Sequence, residues 1–338
     1  MLAPRLLFLS LALTLALAAC ATPVVETSLP PQPAPATETS IPTTAIPPTT
    51  APATETSVPA TEIPPTTAPA ISALTLEQLQ NAEVKITGSL ETSPERTIQL
   101  TGGGFESGND PIAEGYVNVY MGQQVAHGDL NGDGAEDAAI ILGENYGGTG
   151  VFTSVAAMLN QGGQPVFAAS SIIDDRPQIT SIAIQNGEIL VDAVIHGPDD
   201  PGCCPAQPVT RAYRLWDNKL TLTNHTSKTP DGRERIIKIN SPANGSEVSG
   251  AFTLTGSVTI APFENNLVYT VFVEGTPDPI AQAGFMVDAA EMGGPGTFSL
   301  PLDLTTTGVT GNLRVEISDI SAADGSYLAV ATLFLTLQ

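Results

Sequence analysis

Short runs rich in Val, Ile, Leu, Thr and Tyr, broken by turns containing Gly, Asn or Asp, fill nearly everything after Tyr116. That texture restricts the chain to antiparallel β architecture, because tight turns join antiparallel neighbours and β-branched residues suit a pleated, half-buried surface. The strongest turn signal is Asn186-Gly187, between residues 179–185 and 188–195. Such a hairpin needs positive φ at both turn positions, which Asn and Gly tolerate. Gln161-Gly162-Gly163 separates 151–159 from 166–173, and Asp217-Asn218 separates 213–216 from 219–223. Residues 116–120 alternate, and Ala138-Ala-Ile-Ile-Leu142 reads as a buried strand. One helix is signalled, by the Thr-x-x-Gln capping box of Thr75-Leu-Glu-Gln78, followed by Leu79, Ala82 and Val84. Residues 71–235 are therefore expected to form an α+β antiparallel meander with one short helix, in a chain that is mainly β.

From residue 236 the strands become more regular, with about seven runs at 235–240, 252–260, 267–273, 280–286, 296–302, 312–320 and 327–337. That count and spacing indicate an immunoglobulin-like β-sandwich over 236–338. The region has no Cys or Trp, so it lacks the antibody-type disulfide and its packing Trp. Ser241-Pro-Ala-Asn-Gly-Ser246-x-Val248, Phe263-Glu-Asn265 and Ser321-Ala-Ala-Asp324-Gly325-Ser326 resemble the immunoglobulin-like domain of bacterial sporulation and spore-germination proteins. The resemblance implies an extracytoplasmic binding or scaffolding module and no catalyst; a germination role does not follow from it.

Folded structure can begin only after residue 70. Residues 21–70 hold 13 of the 29 prolines and 13 threonines with no Gly and no aromatic residue, so they have nothing from which to build a core. Ala34-Pro-Ala-Thr-Glu-Thr-Ser-Ile-Pro42 recurs 17 residues later as Ala51-Pro-Ala-Thr-Glu-Thr-Ser-Val-Pro59. These copies have no apolar face to stack, so 21–70 is expected to be a disordered Pro/Thr-rich linker, its threonines compatible with O-glycosylation. In polyproline II geometry, at about 3.1 Å per residue, it would reach roughly 150 Å. Before it, Arg5 and the apolar run 6–16 have the form of a secretory leader. Leu17-Ala18-Ala19-Cys20 resembles a bacterial lipobox, which implies cleavage before Cys20 and a lipid on its sulfur. More than one acyl chain gives stable anchoring. Residues 1–20 are thus expected to be a lipoprotein signal peptide, placing the protein on the extracytoplasmic face of a bacterial membrane. The alternative is a plain signal peptide.

The most specific chemistry is in Asp129-Leu-Asn131-Gly-Asp133-Gly134-Ala135-Glu-Asp137. Side-chain oxygens recur at positions 1, 3, 5 and 9 of one tight loop, Gly134 supplies the turn, and the Ala135 carbonyl is available at position 7. A hard cation collects its six to eight oxygen ligands in that way. Ile140 stands where an EF-hand has its bidentate Glu, and both flanks are strand-like. The loop resembles the strand-loop-strand calcium site of FG-GAP-type repeats, here in a single copy. Ca²⁺ is the expected ion and Asp129, Asn131, Asp133, Ala135 and Asp137 its expected ligands; the alternative is a surface turn without an ion.

Two other stretches draw notice. Asn145-Tyr-Gly-Gly-Thr-Gly150 lacks the features of a phosphate loop and reads as a hairpin or bulge loop. His196-Gly-Pro-Asp-Asp-Pro-Gly-Cys203-Cys204-Pro205 contains the only cysteines besides Cys20. Adjacent cysteines have Cα atoms about 3.8 Å apart, short of the usual disulfide range, so their bond would be easily reduced, yet it can form in an oxidising compartment. Cys203 and Cys204 are therefore candidate redox residues; a Cys2His metal site with His196 and a plain structural turn are the other readings. Residues 128–134, Gly147-Gly-Thr-Gly150 and 196–205 together resemble an uncharacterised bacterial secreted or lipoprotein domain, covering about 73–230 and carrying no known activity.

With 35 acidic against 12 basic residues and a net charge of −23, the chain is not a nucleic-acid binder. No Gly-x-Ser-x-Gly or His-Glu-x-x-His is present, and His127, His196 and His225 stand beside no nucleophile motif. The leading expectation is a non-catalytic lipoprotein, anchored through lipid, that binds a protein or envelope polysaccharide. The alternatives are a secreted hydrolase with catalytic carboxylates in the first domain and a thiol-based redox or metal sensor.

Overall fold

The computed structural model describes residues 72–86, 95–111 and 114–338, all within one compact unit. The leader, Cys20 and the proline-rich stretch lie outside the described residues. The capping box forms as expected: Gln78 N donates to Thr75 Oγ1 at 3.2 Å, Thr75 N donates to Gln78 Oε1 at 2.8 Å, and α1 spans Leu76–Gln80. A hairpin of β1 (Glu83–Ile86) and β2 (Arg96–Gln99) follows. The strands β3 (Gly104–Ser107), β4 (Val117–Gly128), β5 (Asp137–Asn145), β6 (Phe152–Gln161) and β7 (Gln164–Asp175) then form an antiparallel sheet in sequence order. A second run, β8 (Gln178–Gln185), β9 (Glu188–Ile195), β10 (Gln207–Trp216) and β11 (Lys219–Lys228), stacks against it. Asn186-Gly187 and Asp217-Asn218 have positive φ at both positions, so the hairpins close as the sequence predicts.

The N-terminal sheet is buried on both faces, which explains the solid apolar run of β5. Ala139 and Ile141 point into one core with Val155, Ala157 and Val191. Ala138, Ile140 and Leu142 point into another with Leu79, Val84, Ile98 and Met158, closed by α1 and the β1–β2 hairpin. The expected meander is therefore two stacked meanders with a helix and hairpin on the outer face.

The C-terminal region is an immunoglobulin-like sandwich, entered through β12 (Glu234–Arg235). One sheet has the order β13-β15-β19-β18, formed by β13 (Ile237–Ser241), β15 (Ala251–Val258), β19 (Gly296–Asp303) and β18 (Asp288–Ala289). The other has β16 (Asn266–Val273), β17 (Ala281–Met286), β20 (Gly311–Ile320) and β21 (Tyr327–Leu337), with β14 (Glu247–Val248) parallel to β21. Leu254, Leu267, Phe298, Leu313, Ile317 and Leu333 fill the space between. Gly256 lies opposite Phe298, where a Cβ would come within 2.2 Å of the ring. Glycine there lets the aromatic cross its partner strand.

The two sandwiches share a sheet, in the order β17-β16-β20-β21-β11-β10-β9-β8. The join is short: Asn224 pairs with Ala331 and His225 with Val330. Ser227 Oγ adds a bond to Leu328 O at 2.7 Å. Residues directly opposite in a ladder share a face. Ala331 faces the C-terminal core, whereas His225 sits opposite Arg211, whose neighbours Val209 and Tyr213 face the N-terminal core. The two cores thus lie on opposite faces of one sheet.

His225 is fully buried at this join and accepts a hydrogen bond from Arg211 Nε at 3.0 Å, while Arg211 Nη1 donates to Ile173 O at 2.7 Å. Burial, reinforced by the neighbouring Arg211 charge, pushes the imidazole down to about 3. Because the folded value lies below the unfolded 6.5, the unfolded chain takes up the proton first, so stability present above pH 6.5 is lost as pH falls towards 3. The expected loss from this group approaches about 1.4 kcal/mol per pH unit below 6.5. Thermal melts between pH 7 and 4 should show it, and His225→Gln, which keeps an acceptor for Arg211, should flatten the slope. Equal slopes in parent and variant would refute the assignment.

Candidate metal loop and the clefts beside it

The loop of residues 129–136 joins β4 to β5 where the two N-terminal sheets approach closely. A Cβ on Gly128 would lie 2.6 Å from Ile184 Cγ2, so glycine ends β4 beneath β8. Leu130 and Ala135 are buried and pin the loop to the fold. Its polar side chains organise the backbone between them. Asp129 Oδ1 accepts from Gly132 N at 2.7 Å and Oδ2 from Gly134 N at 3.0 Å, and these amides hold the carboxyl below its usual value. Asn131 Oδ1 accepts from Asp133 N at 3.0 Å, and Asp133 Oδ1 accepts from Ala135 N at 2.8 Å.

Asp137 behaves differently from the other acids. It is fully buried, and its two oxygens accept from Leu130 N and Asn160 N, each at 2.8 Å. It braces the loop to the start of β5 and to the end of β6. Burial raises its pKa, and the charges of Asp133 and Asp129 raise it further. The charges of Asp133 and Asp129 therefore bear on the buried Asp137, a repulsion that a divalent cation would relieve. The donors are hard oxygens, as Ca²⁺ requires, and a carboxylate with one N–H on each oxygen keeps lone pairs free. Among the described residues, however, no three His, Cys, Asp or Glu side chains are already gathered as a metal cluster. Asn131 and Asp133 are exposed and Asp129 is half-buried, while Asp137 is turned inward.

Beside the loop opens a groove of about 930 Å³. Asp129, Leu130 and Asn131 form one wall, Gln161, Val166 and Phe167 of the β6–β7 hairpin another, and the tips Asn186-Gly187 and Asn218 a third. Its floor is aliphatic, from Leu159, Ala168, Ile184 and Leu215. A smaller cleft of about 340 Å³ lies at the join of the sandwiches and contains Arg214, Trp216, Asn312 and Phe334. Its residues come from separate strands of both regions, so no local pattern of residues signals it.

The opposite end carries the remaining candidates. Cys203 and Cys204 are disulfide-bonded to each other and exposed, so they do not form a Cys2His site with His196. His196 Nδ1 lies 2.8 Å from Asp174 Oδ2, which also accepts from His196 N at 2.6 Å. Asp200 Oδ2 accepts from Gly197 N and Ala206 N, both at 2.8 Å, closing the loop that holds the cysteines. Arg176, paired with Asp175, donates to Gly202 O at 2.5 Å. The glycine-rich 147–150 stretch is a turn organised by Asn145, whose Nδ2 donates to Gly148 O and Gly150 O. His127 is exposed on β4, so the three histidines stand in different surroundings.

Residues 236–326 match the Gmad2 family model, the immunoglobulin-like domain of bacterial spore germination. The C-terminal sandwich is similar to that domain. Its cis Ser241-Pro242 peptide and its turns at 243–246 and 321–326 fall within the motifs that carry the likeness. The match leaves residues 72–235 unassigned, and a search of curated proteins finds none that matches the chain.

Removing the Asp137 carboxylate strands two buried amides, each worth about 1–3 kcal/mol. Asp137→Ala should therefore lower unfolding free energy by about 2 kcal/mol or more in EDTA as well as in Ca²⁺. Urea unfolding in both buffers checks this. A loss seen only with Ca²⁺ would show that the brace carries no weight without the ion.

Proposed function

We propose that the protein is a lipid-anchored cell-surface lipoprotein that binds or scaffolds a protein or envelope polysaccharide without catalysis, with a structural Ca²⁺ in the 129–137 loop. The observation that carries this reading is the open groove walled by the aspartate loop and three hairpin tips, a concave surface with an aliphatic floor and amide-rich rim. Ordering of the loop by Ca²⁺ would set one wall of that groove, coupling ion and partner. The ligands assigned are Asp129, Asn131, Asp133, the Ala135 carbonyl and Asp137; the repulsion of Asp137 by Asp133 and Asp129 supports the assignment. Anchoring rests on Cys20 behind its leader, with the linker carrying the folded part outward. The immunoglobulin-like domain adds a module that scaffolds.

Three measurements test the reading. Labelled palmitate should enter the parent and not Cys20→Ser. EDTA should lower the melting temperature by several degrees, since saturating a site to about 100 times its Kd adds about 2.7 kcal/mol; Asp133→Ala should bind less Ca²⁺ and lose that response. Capture from envelope extract on the immobilised full chain should be stronger with Ca²⁺. Unchanged stability in EDTA, with parent-like Ca²⁺ binding by Asp133→Ala, removes the calcium site. Absence of any captured protein or polysaccharide removes the binding function.

A second reading, thiol-based sensing by Cys203 and Cys204, is favoured by the exposure of their disulfide on a braced loop. It requires that Cys203→Ser with Cys204→Ser, or reductant alone, alters partner capture; if neither does, that reading is lost.

A further inference from the structure

Two ladder pairs join the sandwiches, and beyond them a cleft opens, lined by Arg214, Trp216, Asn244, Glu274, Asn312 and Phe334. Trp216 is the single Trp of the chain. Its ring lies 6.3 Å from that of Phe334, and the buried Arg314 guanidinium packs over it at 5.3 Å while lying 3.9 Å from the centre of Phe272. Stacking on a buried cation fixes the indole as a platform, so little freedom remains to be lost when something binds against it.

The polar groups are also held in place. Asn312 Nδ2 donates to Glu274 Oε2 at 2.8 Å and Asn312 Oδ1 accepts from Thr336 Oγ1 at 3.3 Å. Asn244 Oδ1 accepts from Phe334 N at 2.8 Å. Arg214 lies over Phe334 at 5.2 Å and has no carboxylate partner among the described residues.

This combination selects a ligand chemistry. A wholly apolar ligand would leave the Arg214 guanidinium facing it without a polar partner. An anion would be drawn by Arg214 but would face Glu274 and a chain of net charge −23. A sugar ring satisfies both parts, since its C–H face packs on an aromatic ring and each hydroxyl both donates and accepts. The volume, about 340 Å³, is at the lower end of small-molecule sites and fits a sugar better than a folded partner.

We propose that the cleft at the join is a carbohydrate site, holding an uncharged sugar unit stacked on Trp216 and hydrogen-bonded by Arg214, Glu274 and Asn312. It rests on the polysaccharide branch of the binding function above and names where and what that branch recognises.

The single Trp supplies the measurement. The full chain is titrated with neutral oligomers of glucose, galactose and N-acetylglucosamine and, in parallel, with oligogalacturonate and a mixed-sequence peptide, following Trp216 emission. A saturable change is expected with a neutral oligomer and none with the acidic sugar or peptide. Arg214→Ala and Asn312→Ala keep the reporter and should each weaken binding about tenfold or more. Melting temperatures control for folding, and Asn312→Ala carries the test should Arg214→Ala fail to fold. A flat response to every neutral oligomer, tighter binding of the acidic sugar or peptide, or parent-like affinity in a folded variant overturns the proposal. Envelope capture separates the two levels: if the parent and Asn312→Ala, which lines the cleft and not the larger groove, capture equally, this site is lost and the binding function stands, whereas a parent that captures nothing removes the binding function itself.

Discussion

Two facing pairs, Asn224 with Ala331 and His225 with Val330, make one molecule of what would otherwise be two sandwiches on a string. Everything at the join depends on this ladder being continuous. A backbone bond across the boundary fixes register and angle in a way that side-chain contact alone does not, because ladder geometry admits few alternatives. Its polar reinforcements are buried: Ser227 Oγ reaches Leu328 O, and His225 Nδ1 accepts from Arg211 Nε while its Nε2 is left without a partner among the described residues. Such groups are expensive to leave unpaired, so the join is specified as much by what it forbids as by what it gains.

The same economy appears in the N-terminal sheet. Burial on both faces demands a strand such as β5 with apolar residues in both registers, and it leaves no polar group there unless that group bonds inward. Asp137 meets this condition, because its two oxygens satisfy amides from the loop and from β6, and Glu144, buried on the same strand, accepts from the Tyr146 hydroxyl. One of the carboxylates that spacing marks as an expected cation ligand is thus also the one that fixes the loop to the fold. Its neighbours, Asp129 and Asp133, are spent on turns in the loop's own backbone.

Much of the fold was legible in the residues. Turn pairs that tolerate positive φ marked the hairpins, and alternation marked the immunoglobulin-like strands at 236–338. The hairpin of β1 and β2 was not legible, since Arg96-Thr-Ile-Gln99 buries one side chain in four and offers too short a pattern. Nor was the shared sheet, because pairing between distant strands leaves no local signature, and β11 and β21 read only as ordinary strands. The aspartate loop was found from its spacing, but the inward turn of Asp137 depends on Asn160, which lies on another strand. The cleft beside Trp216 was invisible for the same reason: its polar groups come together only in three dimensions.

The position of β21 has a consequence for how the chain reaches this state. It is at once a central strand of the C-terminal sandwich, beside β20, and the cover for β11. All the other C-terminal strands lie between β11 and β21 in sequence, so during synthesis the N-terminal sandwich is complete in composition while one of its edges still faces outward. An open edge invites pairing with another chain. Thr221, Thr223, Asn224, Thr226 and Lys228 make β11 more polar than the strands beside it in the sheet, which suits a strand that must wait for its neighbour.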